Sequence, residues 1–75
     1  MTNKSQEIRD YIESGEYEKA LRIGKTFRKG EKEDLSRIKR AYECYTNERF
    51  YKQLGYDIDV EKQEGLVCLK KLVNY

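Results

Sequence analysis

The chain has 75 residues, 37% hydrophobic and 40% charged, with 7 Tyr and 2 Phe but no His, Trp or Pro. A chain this short builds one small core, and without histidine it lacks both the side chain that titrates near neutrality and the commonest metal ligand. The net charge of +2 is too small for nucleic-acid binding to follow from the total alone.

The predicted organisation is a compact all-α bundle of four to five short helices forming a single helical domain over residues 1–75. Asn3 or Ser5 caps a first helix that runs to about Ser14, with Ile8, Tyr11 and Ile12 as its apolar stripe and Gly15 as its stop. A second helix runs from near Glu16 to about Lys29 and is closed by Gly30. Its face is Tyr17, Ala20, Leu21, Gly24 and Phe27, with Ile23 beside it. A glycine on that face points to a close helix crossing, because glycine is unfavourable inside a helix unless packing uses the missing side chain.

A third helix spans about Glu33 to Thr46, with Leu35, Ile38, Ala41, Tyr42 and Tyr45 on its stripe. Asn47 caps a short fourth segment from Glu48 to Leu54, and Gly55 ends it. Asp57 or Asp59 caps the last helix, where Leu66, Val67, Leu69, Leu72 and Val73 cover more than one face. The expected core is Ile8, Ile12, Leu21, Phe27, Leu35, Ile38, Tyr42, Phe50, Leu54, Leu66 and Leu69. The excess of apolar residues on the last helix leaves two readings open, a terminal helix sunk between the others or a homodimer through residues 66–73, a common route to stability for small domains.

Ser14-Gly15-Glu16-Tyr17-Glu18-Lys19-Ala20-Leu21 resembles the turn and second-helix start of a tetratricopeptide repeat. That resemblance implies a helical hairpin in which Ala20 lets two helices approach, against Ile8 or Ile12. No second copy follows about 34 residues later, so a solenoid is not expected. Arg40-Ala41-Tyr42-Glu43-Cys44 and Phe50-Tyr51-Lys52-Gln53-Leu54-Gly55-Tyr56 are similar to small helical orphan proteins of phages and prophages of low-GC Gram-positive bacteria. This resemblance implies an accessory or host-modulating protein that acts by stoichiometric binding.

No catalytic constellation is legible. Asp57 and Asp59 read as caps rather than paired carboxylates, and no histidine is present to activate a serine or cysteine. Cys44 and Cys68 are read as small semi-buried hydrophobes, and neither metal nor cofactor is expected. The longest apolar run, Leu66 to Leu69, is far short of the roughly 20 residues that cross a bilayer, and the first residues carry no targeting pattern. A cytoplasmic location is therefore expected.

Two surface readings compete. Charge is concentrated in residues 19–40, with nine basic and three acidic groups, and five aromatics cluster in Tyr42, Tyr45, Phe50, Tyr51 and Tyr56. The first reading is a non-enzymatic protein-binding module, with Arg37 and Arg40 for steering and Tyr45, Tyr51 and Tyr56 as anchors; Tyr51 and Tyr56 are expected to be exposed. The second is a small DNA-binding regulator whose helix-turn-helix spans residues 17–46 and reads through Lys32, Ser36, Arg37 and Arg40. Glu31, Glu33 and Asp34 weigh against it, since they would face phosphates. Glu18 with Arg22 and Lys39 with Glu43, each four apart, are expected to pair locally.

Overall fold

A computed structural model of the chain describes residues 3–28 and 30–75. It contains α1 (Lys4–Glu13), α2 (Tyr17–Gly24), α3 (Lys32–Thr46), α4 (Glu48–Gln53) and α5 (Ile58–Leu72), with no strand among the described residues. The chain is all-α, as its hydrophobic periodicity predicts. Asn3 caps α1, its Oδ1 accepting from the Gln6 backbone N–H at 2.7 Å, and Asp57 caps α5, accepting from the Val60 N–H at 3.3 Å. Asn47 precedes α4 without a side-chain capping bond.

The termination of α1 follows from one glycine. Gly15 has φ +81°, and the backbone N–H groups of Gly15 and Glu16 donate to the carbonyls of Ile12 and Tyr11. These two bonds are the paired closure of a Schellman motif, which needs a left-handed residue after the C-cap.

Helix α2 ends at Gly24, short of the predicted Lys29, which itself lies outside the described residues. The backbone tightens there: the N–H groups of Thr26 and Phe27 donate to Ile23 and Gly24, three residues back. The Thr26 hydroxyl also donates to the Ile23 carbonyl at 2.7 Å, competing with helix continuation. Phe27 turns back to pack on the core. The stop thus comes from Thr26 and the packing of Phe27, before Gly30 is reached.

The buried cluster joins Ile8, Ile12, Ala20, Leu21, Ile38 and Leu69, among others, each large aliphatic contributing roughly 1.5–3 kcal/mol when fully buried. Ala20 is a fully buried member of this cluster, which also contains Ile8 and Ile12. Helices α3 and α5 form the most extensive pair, α1 packs on α2, and α2 on α3. The close crossing predicted at Gly24 is present, since a Cβ there would overlap the Leu69 side chain. A second crossing, at Gly65 against Ala41, is tighter.

Of the expected core, Ile8, Ile12, Leu21, Ile38 and Leu69 are buried, while Phe27, Leu35, Tyr42 and Leu66 are half-buried. Phe50 and Leu54 are not core residues: they are 56% and 58% exposed. Helix α4 is too short to bury two faces, and Tyr51, 100° round from Phe50, takes the inward position instead. Ala20, Ala41, Cys44, Ile58, Cys68 and Val73 complete the set of buried hydrophobic residues among those described. Both cysteines are free.

Candidate functional site

The site is built where α4 meets α3 and α5. Helix α4 closes like α1: Gly55 has φ +94°, and the N–H groups of Gly55 and Tyr56 donate to Lys52 and Tyr51 at 3.1 Å. A Schellman closure commonly brings the residue after the glycine against the last turn of the helix. Here that contact is aromatic, with the Tyr56 and Tyr51 rings 5.5 Å apart at 60°. Phe50 meets Tyr51 edge-on, ring centroids 5.3 Å apart, a favoured geometry because the positive ring edge meets the negative face.

Two carboxylates anchor this aromatic row to the bundle. The Tyr51 hydroxyl donates to Glu43 of α3, and its phenol is pushed up to about 12, chiefly by that bond and then by burial. Arg40 of α3 donates to Glu61 of α5 at 3.3 Å and lies 5.1 Å from the Tyr56 ring centroid. Its guanidinium pKa is raised, first by the bond to Glu61. A cation over a tyrosine face is attracted by the ring quadrupole, so Arg40 holds Tyr56 and α5 together. Tyr51 is therefore half-buried rather than exposed. Tyr56 is 36% exposed.

Arg40, Tyr51 and Tyr56 are thus brought together, whereas Arg37 and Tyr45 lie elsewhere. Arg37 donates to Glu33 at 2.9 Å and borders a groove against Val60, Val67 and Cys68. Tyr45 is half-buried beside Tyr17, with the Lys62 ammonium 4.3 Å from its ring centroid. Burial is the first cause of the upward shift of its phenol. The residues that sequence reasoning missed are Phe50 and Leu54, whose i, i+4 spacing reads equally as a buried or an outward stripe.

Among the described residues of 17–46, the two helices are joined by a longer connection than the helix-turn-helix expectation calls for. Helix α2 ends at Gly24 and α3 begins at Lys32, so the connection exceeds the roughly three or four residues of that motif. Lys32 and Ser36 are exposed, but Arg37 and Arg40 are in ion pairs with Glu33 and Glu61. The expected pairs Glu18 with Arg22 and Lys39 with Glu43 are not formed; Lys19 pairs with Glu16 instead, and Glu43 accepts from Tyr51. Helix spacing permits such pairs but does not impose them.

Among the described residues, no group of three or more His, Cys, Asp or Glu side chains is placed to hold a metal ion, and no helix is long and apolar enough to cross a membrane. Comparison with known proteins finds no matching family model, no matching curated protein and no matching solved structure.

Proposed function

We propose that the chain is a non-enzymatic protein-binding module that docks a partner on the outer face of α4 and acts by occluding it. The observation that carries this reading is the exposure of Phe50 and Leu54, two large apolar side chains one turn apart on a helix fixed from behind by Tyr51, Tyr56 and Arg40. A rigid aromatic and aliphatic anchor pair is the kind of feature that dominates interface energetics. Arg49 lies about 100° round from Phe50 on the same helix and forms no ion pair within the chain. It suits an apolar partner surface with an acidic rim, where it steers association more than it adds affinity. The absence of histidine from the sequence supports the non-enzymatic reading. The likeness of residues 40–44 and 50–56 to small phage proteins supports a cytoplasmic accessory role in which the occluded partner is a host protein.

The test is capture of partners from host lysate, with and without nuclease, by the parent chain and by a Phe50→Ser/Leu54→Ser variant. Circular dichroism checks the fold, which these exposed positions leave within about 1 kcal/mol of the parent. One stoichiometric protein that resists nuclease and is lost with the variant is the expected result. Capture unaffected by the variant, or abolished by nuclease, overturns the reading; the nuclease result redirects attention to Lys32 and Ser36.

A further inference from the structure

Helix α5 carries a second outward feature, independent of α4. Val60 and Val67 are 45% and 61% exposed, and their i, i+7 spacing places them within about 20° of each other on one face. That face points away from the one that buries Ile58, Gly65 and Leu69. A shallow groove between it and α3 is lined by Arg37, Val60, Gln63, Glu64, Val67 and Cys68. The five apolar residues that leave two readings of this helix open divide between them: Leu69 and Val73 are buried in the chain's own core, Leu66 and Leu72 are half-buried, and only Val67 is exposed.

The charges bordering this face are self-complementary. Asp59 and Lys70 are spaced i, i+11, three turns apart on the same edge. Asp59 forms no ion pair within the chain, and Lys70 reaches only the Tyr75 ring, at 5.6 Å. A twofold axis that sets a copy of α5 antiparallel brings Val60 beside the partner's Val67 and keeps like edges together. Asp59 then meets the partner's Lys70, and Lys70 the partner's Asp59. On the other edge, Glu64 approaches its own copy beside Arg37, whose positive charge offsets the repulsion. Lys71 on that edge stays with Asp34 of its own chain, 3.6 Å away. The antiparallel arrangement also sets opposite helix dipoles side by side.

We infer that α5 pairs antiparallel with α5 of a second copy of this chain, through Val60 and Val67 flanked by reciprocal Asp59 and Lys70 ion pairs. The helix is about 22 Å long at 1.5 Å per residue. A contact of that length falls in the small-interface class, below about 1,200 Å², where association is weak and reversible.

Sedimentation equilibrium under reducing conditions, from on the order of 10 μM to 1 mM chain, reads the mass. The expected result is a concentration-dependent rise from 9.0 kDa toward twice that value. Val67→Glu raises the dissociation constant at least about tenfold. Asp59→Lys and Lys70→Asp each weaken association, and the double exchange restores it, an outcome a purely structural role for either residue does not give. A 9.0 kDa species across the range, a dimer indifferent to Val67→Glu, or an exchange that fails to restore association with helicity intact overturns the inference.

Discussion

Gly65 of α5 lies directly against Ala41 of α3, so close that a Cβ on Gly65 would collide with the Ala41 Cβ and sit 2.9 Å from the Arg37 carbonyl oxygen. This contact sets the separation of the two longest helices, and with it the reach of Arg40 to Glu61.

Gly65→Ala is expected to destabilise the chain by about 1–2 kcal/mol. Overpacking against backbone outweighs the roughly 1 kcal/mol that alanine gains in a helix interior. Gly24→Ala is expected to cost less, because its added methyl meets the Leu69 side-chain end and the Ile38 methyl rather than backbone. Urea denaturation of the two variants checks the order, and an equal or reversed ranking refutes the account of the crossing.

The Tyr51 phenol carries a pH signature. Its pKa is raised from an ordinary 10.0 to about 12 in the folded chain. A raised folded value means that the phenol's contribution to stability is fully present below pH 10 and is lost as the pH climbs toward 12. In absorbance titrations, the difference between the parent and Tyr51→Phe isolates one late-titrating tyrosine, and Glu43→Gln brings that titration down. A Tyr51 that ionises with the ordinary tyrosines shows that the bond to Glu43 does not hold in solution.

Gly55 needs its left-handed backbone, φ +94°. Gly55→Ala is expected to cost about 1–2 kcal/mol from the clash a Cβ suffers in that region, and to loosen Tyr56 from Tyr51. Gly55→Asn recovers part of the loss. The same closure at the end of α5 already uses Asn74 at φ 55°, with the Tyr75 N–H donating to the Lys70 carbonyl. Thermal melts of the three proteins rank them Gly, Asn, Ala; an alanine variant as stable as the parent contradicts the role of the turn.

Burial is the first cause of the raised pKa of both Cys44 and Cys68, and Cys68 also donates to Asp34 at 3.5 Å. Since the thiolate is the reactive form, a thiol reagent should modify the native chain at least about tenfold more slowly than the chain in denaturant. Rapid native labelling of either cysteine indicates that the α3 and α5 packing opens readily.

Helix number, helix type and most boundaries were legible in the sequence because they rest on local chemistry: glycines 15 and 55, the capping side chains of Asn3 and Asp57, and stripes such as Ile8 with Ile12. The end of α2 was less legible, since it depends on whether the Thr26 hydroxyl bonds back to the helix and on where Phe27 finds room to pack. Ion pairing was also hidden. Local spacing offers Lys39 to Glu43, but Tyr51 from another helix occupies that carboxylate.

The sequence by itself determined that the chain is helical, where it turns, and that Gly24 belongs at a close crossing, because periodicity, capping and glycine conformation act within a few residues. Only the tertiary structure decided which side of α4 is buried and which valines of α5 remain outside. Phe50 and Tyr51 are adjacent, similar in size and equally compatible with a helix. What separates them is that Tyr51 alone finds Glu43 across the interhelical gap, and that choice turns Phe50 and Leu54 to the surface.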